Sequence, residues 1–272
     1  MRQLLITGAS GFIGRALFAR LRPLNPIGIR FQSKPDCADA DIVSADLREE
    51  ETVRRLLDQY QPDVIFHLAA LVSPQFNEEN PELATELHLK VTENILKSMD
   101  SASHIIFPST DKVFDGTALD PDEEAATGPQ GLYGQLKLQC EQLIKDQVPK
   151  FHIFRLPIVH ALGDPLSLSF VDKALIELKD ARTVEAFHNV KRCFVKLEEL
   201  IDVFELSIHD THYGIYHVGT AMMSYYDRLR ALCEENQIAW EGRLLPTAGQ
   251  AIPLAQNLNT QRIKTIFGYS FS

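Results

Sequence analysis

Tyr133 and Lys137 stand four residues apart in a stretch with helical apolar spacing. That spacing puts a phenol and an ammonium on one face of one helix. A positive charge beside a phenol favours the phenolate and lowers the tyrosine pKa toward neutral pH, giving a usable acid or base at a carbonyl or alcohol. The spacing alone is common, so its meaning comes from what precedes it. Ser109-Thr110 ends an apolar run, where a hydroxyl can hold the same carbonyl. Much earlier, Thr7-Gly8-Ala9-Ser10-Gly11-Phe12-Ile13-Gly14 follows a short apolar run and opens a helical pattern. In such a string one glycine permits a tight turn and another lets a pyrophosphate approach the helix N-terminal N–H groups. The last lets helix and strand pack closely. The bland reading is a glycine turn that binds nothing.

These groups need elements to hold them. Gln3–Thr7, Ile27–Phe31, Asp41–Ser44, Asp63–Leu68, His104–Pro108 and Phe151–Leu156 read as strands. They alternate with helical patterns at Phe12–Arg22, Glu49–Tyr60, Pro81–Asp100 and Gly131–Gln147. Alternation at this spacing implies right-handed crossovers and a parallel sheet covered on both faces, a doubly wound Rossmann-type α/β fold. The predicted helix at Gly131–Gln147 turns Leu132, Leu136, Cys140, Leu143 and Ile144 to the core, with the Tyr–Lys pair beside that stripe. After Pro157 the rhythm changes. Ala161–Ser169 reads as a crossing loop, followed by helix 170–179, strand 183–188, helix 197–209, strand 214–218 and helix 224–236. The expectation is a dinucleotide-binding domain over 1–160 and a smaller substrate lobe over 161–272, with some of its elements returning to the main sheet. Asp111–Gln130 is a long polar loop at a strand end, a common place for function. Its acidic run, Asp120-Pro121-Asp122-Glu123-Glu124, reads as solvated.

The end of the second strand is where an adenosine ribose is met. An acidic residue there would favour NAD, but the chain has Ile29-Arg30-Phe31 and then Lys34. Arg30 suits a 2′-phosphate, which makes NADP the expected cofactor and NAD the alternative, unless Arg30 is a solvated surface residue. Asp46-Leu47 is placed to contact the adenine, and Asp46 could equally cap the next helix.

A net charge of −10 argues against nucleic acid or an anionic membrane as partner. The N-terminal apolar run Leu4–Thr7 is far too short for a signal peptide or a membrane span, and the four cysteines, Cys37, Cys140, Cys193 and Cys233, are scattered as in a reduced cytoplasmic protein. Only His209 and His212 are neighbours among nine histidines, so no metal site is expected. Tyr225-Tyr226 reads as packing.

Taken together, these elements resemble the extended short-chain dehydrogenase/reductase family. Thr7–Gly14 matches its cofactor turn, His67-Leu68-Ala69-Ala70 its segment beside the cofactor, and Ser109-Thr110 with Tyr133-Gly134-x-x-Lys137 its catalytic positions. Arg155-Leu156-Pro157-Ile158-Val159 is similar to its strand and nicotinamide-lining backbone; Arg192–Val195 and Tyr216–Gly219 are similar to its late strands. Pro108-Ser109-Thr110-Asp111-Lys112-Val113-Phe114-Asp115-Gly116 most resembles the dTDP-4-dehydrorhamnose reductase branch. The resemblance implies NAD(P)H-dependent reduction of a keto sugar nucleotide. Thr110 would be the catalytic hydroxyl and Tyr133 the proton donor, with Lys137 binding the nicotinamide ribose. Gly8, Gly11, Phe12, Ile13, Gly14, Leu68, Ala69, Ala70, Pro157 and Ile158 would line the cofactor. The family often pairs through helices equivalent to Pro81–Asp100 and Gly131–Gln147, so a homodimer is the implied assembly. Lys112 stands where the branch has an aromatic. His88 stands where extended members carry Asn, and it either packs or supports the proton path. Alternative readings are an NAD-dependent nucleotide-sugar epimerase or dehydratase, and a non-catalytic regulatory or binding subunit on the same fold.

Overall fold

Apolar runs rich in Leu, Ile, Val and Phe form strands here because such side chains fit a pleat buried on both faces. The computed structural model describes residues 2–31, 42–70, 73–162, 164, 167, 169–250 and 255–272. Lys34, Cys37, Asp41 and, within the expected crossing loop, Gly163, Pro165, Leu166 and Leu168 lie outside the described residues. In chain order the first elements are β1 (Leu4–Thr7), α1 (Phe12–Leu21), β2 (Ile27–Arg30), β3 (Ile42–Ser44), α2 (Glu50–Tyr60) and β4 (Val64–His67). Next come α3 (Pro74–Glu79), α4 (Pro81–Thr85), α5 (Val91–Ser98), β5 (His104–Thr110), α6 (Leu132–Gln147) and β6 (Phe151–Leu156). Then follow β7 (Ile158–His160), α7 (Phe170–Lys179), β8 (Val184–Phe187), β9 (Lys191–Arg192), β10 (Phe194–Lys196) and α8 (Leu197–Ser207). The last are β11 (Gly214–His217), β12 (Met223–Ser224), α9 (Tyr225–Glu235), β13 (Leu244–Thr247), β14 (Ala255–Gln256) and α10 (Gln261–Phe267).

Seven strands form one sheet in the order β11-β6-β5-β4-β1-β2-β3. β1 pairs in parallel with β2 on one side and β4 on the other, Leu5 lying opposite Ile27 and Ile65. This is the expected doubly wound Rossmann-type sheet. The order reverses between β1 and β4, so the carboxyl ends of those two strands open the crevice where such folds bind ligands. The core is built from Leu5, Ile65, Phe107 and Ile153 of the strands against Leu56, Ile95, Cys140 and Ile144 of α2, α5 and α6.

Two compact units divide the chain: residues 1–114, 127–155 and 201–216 form the first, and 115–126, 156–200 and 217–272 the second. The chain therefore crosses between the units several times, residues 201–216 returning to the first. The second unit has its own core, including Val171, Leu175, Phe194, Leu229 and Leu232. Its strands form three small sheets, β10-β7, β12-β9-β14 and β13-β8.

Two expectations are corrected. The helix expected over Pro81–Asp100 ends at Ser98 and is broken by a π-helical turn at Glu86–Lys90, between α4 and α5. Such turns occur frequently at functional sites. The acidic run is not simply solvated. Glu123 is buried, accepts the His217 N–H at 3.0 Å and lies 3.5 Å from Arg262 Nε. Burial pushes its carboxyl above the ordinary range. Asp120 meanwhile accepts from Asn257 and Asn259 at 2.9 Å, which ties the loop into the second unit.

Candidate active site

The glycine turn is set by close backbone approach. Gly8 adopts φ +67°, a region open to glycine, and a Cβ there would meet Leu68 and Ala69 backbone at 2.9 Å. A side chain on Gly14 would run into the Gly8 carbonyl oxygen. Helix α1 begins at Phe12, with Gly11 as N-cap and no side-chain cap. The N–H groups of Phe12, Ile13 and Gly14 thus lack intrahelical acceptors and lie at the positive end of the helix. A cradle that only glycine fits, beneath an uncapped helix start, suits a pyrophosphate. Across the crevice Thr7 Oγ1 accepts the Ala69 N–H at 3.0 Å, which fixes the half-exposed Leu68-Ala69-Ala70 backbone beside the turn.

The acid–base groups come from β5 and α6. Thr110 ends β5 and is buried; its hydroxyl accepts the Lys112 N–H at 3.2 Å, capping a 3₁₀ turn at Asp111–Val113. Helix α6 packs against this turn so closely that a Cβ on Gly134 would strike the Lys112 carbonyl, which explains the glycine after Tyr133. Glu78 accepts the Leu132 N–H at 2.7 Å and completes the N-terminus of α6. The packing brings the Tyr133 and Thr110 side chains together.

Lys137 behaves differently from the expectation. It is buried, donates to the Pro108 carbonyl at 2.8 Å and lies 4.3 Å from the centroid of the Phe107 ring. Burial pushes its pKa down to about 8. The phenol of Tyr133 is pushed up, first by burial and then by the nearby Asp111 carboxylate, with the Thr110 hydrogen bond opposing. In this arrangement the phenol is protonated at neutral pH and can serve as a proton donor. His88, in the π-helical turn, meets the Tyr133 ring edge-on at 5.8 Å and is buried, so it packs against the phenol.

Behind these groups lies a buried shell. Ser109 turns away from Thr110 and donates to Glu141, which forms a two-pronged pair with Arg155 at 2.8 and 3.1 Å. Arg155 also lies 5.0 Å from the centroid of the Phe114 ring. His67 bridges Thr7 Oγ1 at 3.2 Å and Thr92 Oγ1 at 2.9 Å, and Thr92 donates to the His88 carbonyl at 2.6 Å. This chain of bonds connects the glycine-turn strand to the turn that packs on Tyr133. Burial, then Lys137 and His88, pushes His67 down to about 3, so it is neutral.

The family model for the RmlD substrate binding domain matches residues 1–268. The chain belongs to this family. It is 29% identical over 249 residues to methionine adenosyltransferase 2 subunit beta of Xenopus laevis, covering 86% of this chain and 72% of that protein. It is 37% identical over 161 residues to dTDP-4-dehydrorhamnose reductase of Salmonella typhimurium. That match covers 58% of this chain and about half, 52%, of the enzyme's length. The crystal structure of dTDP-4-dehydrorhamnose reductase from Bacillus anthracis in complex with NADP superposes with a TM-score of 0.83 at 20% identity, covering 99% of this chain and 94% of that one.

Other residues singled out in this family member fall in three places. Arg30, half-buried at the end of β2, donates from Nε to Ser44 Oγ at 3.1 Å. Asp46 is engaged by Arg48 rather than left open to a ligand: Oδ1 accepts Arg48 N at 3.0 Å and Nε at 2.9 Å, and Oδ2 accepts Nη2 at 2.6 Å. Glu49, not Asp46, occupies the N-cap position of helix α2, and it makes no side-chain cap. Leu47 places its side chain in the core, and Asn94 donates to its carbonyl at 3.0 Å. Pro157 and Ile158 belong to the second unit. The Pro157 ring lies against Gly219, and Ile158 pairs with Phe194. Lys112 is exposed. Sequence reasoning missed Asp111, Glu141, Arg155, Thr92 and Arg48 as parts of this constellation. A signal existed for one pair: Arg155 interrupts an apolar strand, and Glu141 lies one turn after Lys137 near the buried stripe.

No helix among the described residues is long and apolar enough to cross a membrane. Among them, no group of three His, Cys, Asp or Glu side chains could hold a metal ion.

Proposed function

We propose that this chain is an NAD(P)H-dependent reductase of a keto sugar nucleotide, of the dTDP-4-dehydrorhamnose reductase type. The observation that carries the reading is geometric: Thr110 ends β5 where α6 packs against it, and α6 presents Tyr133 with the buried Lys137 one turn further along, held on the Pro108 carbonyl. A nicotinamide cofactor, when bound, supplies the hydride. The N–H groups of Phe12, Ile13 and Gly14 hold its pyrophosphate, with Gly8 and Gly11 making room, and Leu68, Ala69 and Ala70 line its path. Arg30 favours NADP over NAD through the 2′-phosphate. Pro157 and Ile158 are carried over from the family resemblance as nicotinamide-lining backbone. Thr110 and Tyr133 donate to the substrate carbonyl oxygen, and the Tyr133 proton moves to that oxygen as it gains charge. Lys137 uses one of its three donors on Pro108, leaving two for ribose hydroxyls. The proposal includes a homodimer and a cytoplasmic setting.

The test is turnover of NADPH with dTDP-4-keto-6-deoxy sugars on wild type and Tyr133→Phe. Loss of at least a hundredfold in kcat with cofactor affinity kept is the expected result; unchanged turnover removes Tyr133 from its role. A second reading is a binding subunit. The relative from Xenopus laevis, a methionine adenosyltransferase subunit aligned over 86% of this chain, favours it. Tight NADPH binding with no reduction of any keto sugar nucleotide tested would move that reading to the front. NAD⁺ retained through purification and recycled without net oxidation would instead mark an epimerase or dehydratase.

A further inference from the structure

Helix α6 begins differently from several other helices of the chain. Helices α3, α7 and α9 carry their own N-caps: the hydroxyls of Ser73, Ser169 and Ser224 accept N–H groups of the first turn. Helix α6 has Gly131 at that position, no acidic residue in its first turn and, among the described residues, no side-chain cap of its own. Its cap comes from another helix, where Glu78 Oε1 accepts the Leu132 N–H at 2.7 Å. Gly131 leaves the room for this, because a Cβ there would lie 3.2 Å from that oxygen. The neighbouring Glu79 is used in another way, accepting from Gln75 on its own helix at 2.8 Å. Helix α3 is itself pinned. Buried Asn77 donates from Nδ2 to the Ser73 carbonyl at 2.6 Å, and Asn80 donates to the Phe76 carbonyl at 3.1 Å. Further along the same stretch, His88 meets the Tyr133 ring edge-on at 5.8 Å. One stretch of chain thus grips the start of α6 twice, at the N–H of the residue before Tyr133 and at the Tyr133 ring.

We propose that Glu78 is a positioning residue for the proton-donating tyrosine: its carboxylate closes the first turn of α6 and so fixes where the Tyr133 hydroxyl stands. The proposal rests on the reductase reading above. The first N–H groups of a helix have no partner within it, and a carboxylate is favoured there by the positive end of the helix. Tyr133 belongs to that first turn, so fraying of the turn displaces the phenol directly. The contact of Gly134 with the Lys112 carbonyl holds one side of the turn, and Glu78 holds the other. Displacing a reacting group by about 1 Å costs on the order of a hundredfold in rate. Cofactor and substrate groups held by other elements bind as before.

The experiment compares wild type, Glu78→Ala, Glu78→Gln and Tyr133→Phe in steady-state reduction of dTDP-4-keto-6-deoxy sugars by NADPH, with calorimetric NADPH binding and thermal melting of each protein. Glu78→Ala is expected to lower kcat by roughly three- to thirtyfold, the size of a lost helix cap carried into the rate, with KM and NADPH affinity within about twofold. Glu78→Gln keeps an acceptor oxygen at the same reach and should restore kcat to within about threefold of wild type. A cap that served only stability would give neither the split between kcat and KM nor that rescue. Unchanged kcat in Glu78→Ala, a Glu78→Gln as slow as Glu78→Ala, or kcat and NADPH affinity falling in parallel overturns the positioning role and leaves the reductase reading in place. Full turnover by Tyr133→Phe, or wild type that reduces none of these sugars, overturns both.

Discussion

Helix α6 buries two charged groups one turn apart, and they are treated in opposite ways. Glu141 is matched: Arg155 grips it in two prongs, Ser109 adds a hydroxyl, and all three side chains are buried. Lys137 is not matched. Among the described residues its ammonium has a backbone carbonyl and an aromatic face, with no carboxylate in hydrogen-bond contact. A buried ion pair whose lone pairs are satisfied fixes geometry, and its removal in part is costly. A buried ammonium with no carboxylate bonded to it is a group kept in tension between charged and neutral forms, burial lowering its pKa and the more distant Glu141 charge raising it. The first arrangement holds the end of β5 against α6; the second places an adjustable charge where β5 and α6 present Thr110 and Tyr133. Groups with perturbed protonation equilibria concentrate where chemistry is done.

The comparison is broken most severely at Lys137. Lys137→Met should lower keto-sugar reduction by about a thousandfold or more, equivalent to about 4 kcal/mol of barrier. The same variant should fold at least as well as wild type. Turnover within tenfold of wild type would mean that the unmatched ammonium is only a tolerated burial. Glu141→Gln should leave Arg155 buried without its counter-charge and cost about 3–5 kcal/mol in urea unfolding. The double variant Glu141→Leu with Arg155→Met should recover most of that loss; a double variant as unstable as the single would show that the pair does more than satisfy itself.

The unmatched lysine has a pH signature. Its folded pKa of about 8 lies below the ordinary 10.5. Between those values the unfolded chain holds the proton and the folded one does not, so stability rises as pH climbs through about 8 to 10.5. Below pH 8 the burial penalty is fully present, on the order of 3 kcal/mol before the Pro108 hydrogen bond and ring contact offset part of it. Lys137→Met should thus be more stable than wild type by about 1–2 kcal/mol at pH 7, with the gap closing toward pH 10.5. A gap that widens with pH would reverse the assignment.

Much of this was open to sequence reading, and the reason is length and period. β1, the glycine turn and α1 follow from a short apolar run, three glycines and a helical stripe, and nothing distant is needed to form them. The sheet order follows from regular alternation. The meeting of Thr110 and Tyr133 follows from that order, because it joins a strand end to the next helix. What was not legible depends on partners far apart in sequence. Glu123 looks solvated until Arg262 and the His217 N–H arrive, 94 residues separating His217 from it. Likewise Asp46 looks like a free carboxylate until the Arg48 side chain folds back over it. Strands of two residues such as β9 and β12 carry no period at all. The π-helical turn at Glu86–Lys90 has no composition that distinguishes it from α-helix.

The smallest expected effect concerns His67, whose neutral state the unmatched lysine helps to enforce. Its pKa is pushed to about 3 from an ordinary 6.5, burial acting first and the Lys137 charge second. As pH falls, the unfolded chain takes up this proton before the folded one does, so stability is lost from about pH 6.5 downward toward 3. From pH 7 to 5.5 this amounts to about 1 kcal/mol for one histidine. His104 and His160, also pushed to about 3, add similar losses, so the wild-type slope alone does not isolate His67. The difference between wild type and His67→Asn does: urea unfolding at pH 7 and 5.5 should show the variant losing about 1 kcal/mol less than wild type. Repeating the comparison in the Lys137→Met background sharpens it, because without the ammonium the folded histidine accepts its proton at higher pH and low-pH losses below 5 shrink. Identical slopes in all four proteins would mean that His67 keeps its proton through unfolding, and that Lys137 exerts no field on the bond linking Thr7 to Thr92.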